Sequence, residues 1–229
     1  MWKIYRMETE TTVLYPKTAY SLSWAPLGGG FPKKLRAVVN LTCDPDARHQ
    51  SIINQARLAR ARIADSLGVK PREIAVMITA VPQIAGTVLC RRHQRTGLEV
   101  RVFCTVGLGN SVSAGAPPTF DEETTINVPE KPGTVNVIVS VNRPLTRPAM
   151  LEAANNAVIG KATAVATQQL TAPDGTPKLA TGTDCITLST VATDSSPTLR
   201  FAGLHTVLGQ LIASTVKEAC LSCLNKRVK

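Results

Sequence analysis

The sequence predicts an α+β fold in which a mixed or antiparallel sheet with hairpins packs against about three main helices. Three stretches show helical spacing of apolar residues, and the segments between them are rich in β-branched and apolar residues. Several strands follow one another across glycine turns, which favours hairpins over a doubly wound parallel sheet. No clear linker divides the chain, so residues 1–229 are expected to form a single domain.

The strands are predicted from apolar, β-branched runs that end at turn residues. TTVLYP and KLRAVVNLTC come first, separated by the glycines of LGGG at Leu27–Gly30. EIAVMITAV is the next strand, and GTVLCRRHQRTGLEVRVFCTVG is predicted to be a hairpin that turns at Arg95–Gly97. GTVNVIVSVN and DCITLSTVA complete the predicted strands.

The helices are predicted from apolar positions that recur every three or four residues. DPDARHQSIINQARLARARIADSLG is the first, and Gly68 supplies its end. RPAMLEAANNAVIGKATAVATQQL is the second, with Pro148 near its first turn. LHTVLGQLIASTVKEACLSCL is the third, and Cys220 and Cys223 continue its apolar face, which favours core packing for both.

Composition limits the classes of function. The formal charge of +10 points to anionic partners, but the basic residues are dispersed and aromatic residues make up only 4%, which argues against nucleic-acid binding. No stretch of about 18 apolar residues is present, so no membrane span is expected. The N-terminus has no signal-peptide core, so a cytoplasmic location is expected.

Resident metals and nucleotides are not expected. The three histidines show no metal-binding spacing, and the one CxxC pair has no second pair. The glycine runs match neither the P-loop nor GxGxxG. The six cysteines are scattered, which favours reduced thiols over a disulfide framework. We therefore expect no metal site and no cofactor.

Five residues are candidates for chemistry. Lys161 falls on the inward face of the second helix, where a lysine either snorkels outward or finds a partner such as Asp184. Asp184, in LATGTDCITLS, can orient a histidine, activate water or cap backbone amides. Thr181 and Thr183 offer hydroxyl groups, but a threonine nucleophile needs a base or a free α-amine beside it. His205, near the start of the last helix, is either an acid–base group or a helix cap.

Seven ordered pieces between about residues 20 and 215 together resemble the adenosylcobinamide amidohydrolase family of corrinoid salvage. The pieces are LSWAPLGGG with AVVN, TVGLGN with SAG, TTINV, TVNVIVSVNRPLT, AVIGKATAVATQQL, ATGTD and RFAGLHTVLGQLI. The resemblance implies hydrolysis of the amide that joins a ring propionyl group to aminopropanol. The products would be adenosylcobyric acid and 1-aminopropan-2-ol, and cobalt would enter only as part of the substrate.

The resemblance also suggests roles. Asp184 and His205 would activate water or a hydroxyl group and protonate the leaving amine, with Thr183 or Thr181 as the covalent alternative. Lys161 and the backbone amides of Gly107–Asn110 would stabilise the oxyanion.

The expected substrate-binding residues are glycines that allow close backbone approach and asparagines that face the amides of the corrin. They are Gly28, Gly29, Gly30, Gly107 and Gly109, with Asn40, Asn110 and Asn136. The expected partner is thus a corrinoid small molecule, with no nucleic acid and no membrane, and a homo-oligomer is left open. The alternative function is that of a corrinoid-binding protein without catalysis.

Overall fold

The computed structural model describes residues 2–44, 49–118, 133–191 and 197–226, and it confirms the predicted α+β class. The described helices are α1 (His49–Leu67), α2 (Arg147–Ala166) and α3 (Val207–Lys226). The described strands are β1 (Lys3–Arg6), β2 (Glu10–Ser23), β3 (Gly30–Thr42), β4 (Ile74–Thr79), β5 (Thr87–Arg92), β6 (Glu99–Val106), β7 (Ser111–Val112), β8 (Val135–Val141), β9 (Ala180–Thr181) and β10 (Cys185–Thr190). The TTINV piece, residues 124–128, lies outside the described residues.

Capping residues and glycines mark the starts and ends of the helices and turns close to where the sequence predicts them. Gly68 follows α1 with a φ of 62°, a left-handed conformation that glycine adopts without steric cost. The Thr146 hydroxyl accepts a hydrogen bond from the backbone N–H of Ala149 and caps α2, and Pro148 lies in the first turn of that helix. Gly97 has a φ of 65° in the β5–β6 turn, so the predicted hairpin is confirmed.

Within the described residues, the main sheet has eight strands of mixed direction. Seven follow the order β4-β3-β2-β10-β8-β6-β5, and β1 pairs with β2 outside this path. The pairs β3–β4 and β8–β10 are parallel, and the other pairs are antiparallel. The strands β7 and β9 form a separate two-stranded sheet. These two short strands and β1 carry little apolar periodicity, and the sequence does not predict them.

The sheet folds over itself, which gives four layers in the order helix, sheet, sheet, helix. The long strand β2 has a register shift between Leu14 and Ala19 where it pairs with β3. As a result β4 faces β8, although the two are not neighbours in the sheet, and the Asn136 amide donates to the Ile78 carbonyl oxygen at 2.9 Å.

Three hydrophobic clusters fill the spaces between these layers. One lies between α1 and the β3–β4 half, and one lies between the two halves of the sheet. The third lies between the β5–β6–β8–β10 half and the helices α2 and α3. Cys220 and Cys223 are fully buried there, which confirms their prediction as core residues. The helix α3 is long and apolar enough to cross a membrane, but its buried face packs on β5, β6 and α2, as a core helix does.

The fold brings the starts of two central strands together. Because β8 and β10 are parallel, with Asn136 opposite Cys185, the residues that precede both strands lie at the same edge of the sheet. The antiparallel strand β6 ends at this edge, since Val106 pairs with Val135. Three loops therefore meet there, and we call this place the β8–β10 edge: Gly107–Asn110, Gly133–Thr134 and Thr181–Asp184.

Candidate active site

A buried ion pair joins the helix layer to the β8–β10 edge. The Lys161 ammonium on α2 contacts the Asp184 carboxylate, and their side chains are only 5% and 14% exposed. The helical spacing predicts an inward-facing Lys161 with Asp184 as its partner, and both points are confirmed. Burial makes this contact important, because either charge would be costly to leave unpaired.

The Asp184 carboxylate also accepts three hydrogen bonds from the neighbouring loop and strand. The backbone N–H of Val135 donates to one carboxylate oxygen at 3.1 Å, and the backbone N–H of Thr181 donates to the other at 3.2 Å. The Thr181 hydroxyl adds a third hydrogen bond. Asp184 therefore fixes its own turn and the start of β8, and these donors and Lys161 together occupy both of its oxygens.

Thr134 lies in the middle of this group, and its side chain is buried. Its hydroxyl donates to the Thr183 carbonyl oxygen at 2.6 Å. In return, the Thr183 hydroxyl donates to the Gly133 carbonyl oxygen at 2.9 Å. The two hydrogen bonds hold the Gly133–Thr134 peptide against the threonine turn that precedes β10.

The Gly107–Asn110 loop packs on the other side of the same peptide. The N–H of Gly107 donates to the Thr134 carbonyl oxygen at 2.8 Å. A Cβ atom at Gly133 would lie 2.6 Å from the backbone nitrogen of Gly109 and 2.8 Å from that of Asn110, so a side chain would not fit there. Gly107, Gly109 and Asn110, which the sequence suggests as substrate-binding residues, thus lie beside Asp184 and Thr134.

Asn110 links the two loops and keeps one polar atom unpaired. Its side-chain N–H donates to the Thr183 hydroxyl at 3.4 Å, and its carbonyl oxygen accepts from the N–H of Gly182 at 3.3 Å. The side-chain oxygen of Asn110 is buried with no hydrogen-bond partner among the described residues. An unpaired buried acceptor carries a free-energy cost that a bound donor would remove.

Asn40 and Asn136 belong to a buried polar network between the two halves of the sheet. The Asn136 amide donates to the side-chain oxygen of Asn40, and the Asn40 amide donates to Gln83 and Thr105, each at 3.2 Å. Both asparagines are at most 1% exposed. In this geometry they fix β8 against β3, and they do not present amides to a ligand at the surface.

The glycines Gly28–Gly30 form the tight connection from β2 to β3. Gly28 has a φ of 75° and lies against the backbone oxygen of Ile74, and Gly29 lies against the backbone oxygen of Ala25. Close packing of the chain on itself accounts for these two glycines. Trp24, in the same connection, donates its indole N–H to the Asp184 carbonyl oxygen at 3.1 Å, so the connection that carries these glycines reaches the β8–β10 edge.

His205 lies away from Asp184. It is exposed just before α3, and Cys223 near the other end of α3 contacts Cys104 close to the β8–β10 edge. The partner of Asp184, Lys161, lies nearer to position 205 than Cys223 does: its neighbour Gly160 packs against Ala213, which is roughly 12 Å along the helix from position 205 at 1.5 Å per residue. The hypothesis that His205 works beside Asp184 therefore finds no support in this geometry.

Thr134 is not among the residues that the sequence marks as candidates for chemistry. Gly133 and Thr134 directly precede VNVIVSV, in which every residue is buried. A hydroxyl residue that follows a glycine at the start of a buried central strand is held rigidly, because the strand is paired on both sides. Thr105 and Thr187 are also buried in paired strands, so Thr134 becomes distinctive only through the loops at Gly107 and Thr183 that close around it.

The grouped residues provide hydroxyl groups and backbone N–H donors around one peptide. Within the described ranges, no three His, Cys, Asp or Glu side chains are grouped to hold a metal ion.

A separate cavity of about 230 Å³ lies at the other end of β8, where Ser140 and Asn142 contribute to its lining. At about 3.3 Å per residue, the length of β8 puts this cavity roughly 20 Å from Thr134.

Solved structures of several proteins share this fold. The PH0078 protein from Pyrococcus horikoshii OT3 matches with a TM-score of 0.53 and 12% identity, over 96% of this chain and 78% of that one. A beta-aminopeptidase from Burkholderia sp. matches with a TM-score of 0.53 and 13% identity, over 95% and 79%. The L-aminopeptidase D-Ala-esterase/amidase from Ochrobactrum anthropi, described as a variant of the Ntn hydrolase fold, matches with a TM-score of 0.50 and 10% identity, over 98% and 82%. At these identities the likeness concerns the fold alone.

The sequence itself is matched at the level of the family. No curated protein matches it, but a family model does so over nearly its whole length. The matched residues are 3–229, and the model describes adenosylcobinamide amidohydrolases, CbiZ. The match covers every element of the fold and all three loops of the β8–β10 edge. The chain belongs to the adenosylcobinamide amidohydrolase family.

Proposed function

We propose that this protein hydrolyses the amide of adenosylcobinamide, giving adenosylcobyric acid and 1-aminopropan-2-ol. The observation that supports this most strongly is the family match over residues 3–229. The site is compatible with it, since hydroxyl groups and N–H donors surround a single peptide group, with Thr134 buried and Thr183 exposed. We propose no resident cofactor and no nucleic-acid partner, and we expect the reaction to take place in the cytoplasm.

The structural neighbours support hydrolysis of an amide as the reaction type. Two of them are named as an aminopeptidase and as an aminopeptidase with esterase and amidase activity. An amide hydrolase needs a nucleophile, an oxyanion stabiliser and a proton for the leaving amine. The β8–β10 edge supplies candidates for the oxyanion stabiliser and for a hydroxyl nucleophile.

For the oxyanion, the best candidates are the backbone N–H groups of Gly109 and Asn110 together with the Thr183 hydroxyl. These N–H groups lie close to Gly133, and the Thr183 hydroxyl already donates to a carbonyl oxygen in the resting chain. Donors fixed by packing need no reorganisation when negative charge develops, so they stabilise the transition state more than mobile water does.

Lys161 and Asp184 are assigned a positioning role. Their contact ties α2 to the threonine turn, and Asp184 fixes the N–H of Val135 directly after Thr134. Loss of either group is expected to move the hydroxyl groups relative to the substrate carbonyl. A misplacement of about 1 Å costs a reaction of this kind on the order of 10²-fold in rate.

The test is incubation of the purified protein with adenosylcobinamide, followed by mass analysis of the corrinoid and detection of aminopropanol. Conversion to adenosylcobyric acid supports the proposal. The variant Asp184→Ala should lose most of this activity, whereas Asp65→Ala, which removes an exposed carboxylate on α1, serves as the matched control. Tight binding of the corrinoid without conversion would favour the alternative function, a non-catalytic corrinoid-binding protein.

A further inference from the structure

We infer that Thr134 is the nucleophile, and that the chain exposes it as an N-terminal residue by cleaving its own Gly133–Thr134 peptide bond. The role of Thr134 as the nucleophile of the amide hydrolysis rests on the proposed function. The self-cleavage, however, is a property of the chain alone.

The environment of the Thr134 hydroxyl explains why a free amine is needed. A threonine hydroxyl is a weak nucleophile until a base removes its proton. In the described part of the chain, the hydroxyl is bonded to the Thr183 carbonyl and to no basic side chain. The ammonium of Lys161 is engaged by Asp184. The remaining nitrogen is that of Thr134 itself, which becomes basic only when its peptide bond is broken.

Contacts on both sides prepare the Gly133–Thr134 bond for cleavage. The Gly133 carbonyl oxygen accepts a hydrogen bond from the Thr183 hydroxyl at 2.9 Å, which would stabilise negative charge on that oxygen. The Thr134 carbonyl is held by Gly107, and the next N–H, that of Val135, is held by Asp184. The peptide is thus fixed from Gly133 to Val135, while residue 133 must be glycine because a side chain would strike Gly109 and Asn110.

The cleavage needs only water as co-reactant. Water takes the hydroxyl proton as the Thr134 oxygen attacks the Gly133 carbonyl carbon through a five-membered ring. The C–N bond then breaks, and the water returns the proton to the departing nitrogen. Water then hydrolyses the resulting ester, which leaves a carboxylate on Gly133 and restores the Thr134 hydroxyl beside a free α-amine.

In the amide hydrolysis, that amine takes the proton of the Thr134 hydroxyl as its oxygen attacks the propionyl carbonyl carbon of the substrate. The protonated amine then gives the proton to the nitrogen of the departing aminopropanol. An ester between Thr134 and the corrinoid results, and water hydrolyses it to the acid. The unpaired side-chain oxygen of Asn110 beside Gly133 is a suitable acceptor for a hydrogen bond from the new amine or from the substrate.

The experiment is the intact mass of the purified full-length protein, followed over days and without substrate. Two fragments are expected, residues 1–133 and residues 134–229, and N-terminal sequencing of the second should read TVNVIV. The variant Thr134→Ala should stay intact, Thr134→Ser should still cleave, and Thr163→Ala, which removes an exposed hydroxyl on α2, should cleave like the unmodified chain. Thermal unfolding of each variant shows whether it is folded. If the alanine variant is unfolded, the serine variant still provides a decisive test.

Activity on adenosylcobinamide separates this inference from the proposed function. Thr134→Ala should lower kcat/KM by about 10³-fold or more, as the loss of a nucleophile does. A chain that cleaves itself at residue 133 but leaves adenosylcobinamide unchanged would support self-cleavage and contradict the proposed substrate. A chain that stays intact, whatever its activity, would overturn the inference, and so would a folded Thr134→Ala variant with full activity.

Discussion

Removal of the Asp184 carboxylate should destabilise the protein more than removal of the Lys161 ammonium. The variant Asp184→Ala leaves an ammonium that is only 5% exposed without its partner, and it also frees the N–H groups of Val135 and Thr181. Breaking a buried pair in this way costs about 3–5 kcal/mol in the free energy of unfolding. In Lys161→Met, the Asp184 carboxylate still accepts its three hydrogen bonds, and its side chain is 14% exposed. We therefore expect a smaller cost of about 1–3 kcal/mol in the free energy of unfolding.

Urea unfolding of the two single variants and the double variant measures these costs. The double variant has no unpaired ammonium, so its loss should be smaller than the sum of the two single losses by about 1–3 kcal/mol. At roughly 2–4 °C per kcal/mol for a chain of this size, a loss of about 4 kcal/mol in Asp184→Ala should lower Tm by roughly 8–16 °C. Asp65→Ala and Lys217→Met, at exposed positions, are the matched controls. A cost below about 1 kcal/mol for Asp184→Ala, or strictly additive losses, would refute the reasoning.

Three further predictions concern other parts of the molecule. Gly160→Val should lower Tm because even a Cβ there would strike the backbone of α3, and an unchanged Tm would contradict the close helix contact. Brief treatment of the native protein with iodoacetamide should label exposed Cys90 first and leave Cys185 unlabelled. The reason is that burial and, to a lesser extent, the charge of Asp184 raise the pKa of Cys185 to about 12. Mass analysis of the peptides measures the order of labelling, and labelling of Cys185 before Cys90 would contradict the prediction. His205→Ala should lower kcat/KM on adenosylcobinamide less than Asp184→Ala does, and the opposite ranking would restore His205 to the reaction.

Much of the fold follows from local patterns in the sequence. The three helices carry apolar stripes with a recognisable start or stop, such as Pro148 in α2 and Gly68 after α1, and the hairpin at Gly97 has a glycine where the backbone needs one. The pairing of Lys161 with Asp184 also follows, because a lysine on an inward helix face requires an acid. In each case the information lies within a few residues of the feature that it specifies.

Features that depend on distant parts of the chain could not be predicted in this way. The folding of the sheet over itself buries Asn40 against Asn136, and neither residue signals this in its local sequence. His205 and Asp184 are plausible partners by residue type, but the packing of Gly160 on Ala213 places position 205 roughly 12 Å along α3 from the level of Lys161, which the local sequence does not reveal. Thr134 does not stand out in the sequence, because one threonine among many becomes distinctive only when the loops at Gly107 and Thr183 close around it.

The central claim is that this protein hydrolyses a corrinoid amide, and the most direct test is the reaction in water enriched in oxygen-18. The account predicts conversion of adenosylcobinamide to adenosylcobyric acid that carries one heavy oxygen in its new carboxylate, with release of an equal amount of 1-aminopropan-2-ol and no need for nucleotide or added metal. An unchanged corrinoid after prolonged incubation with a folded, purified protein would contradict it.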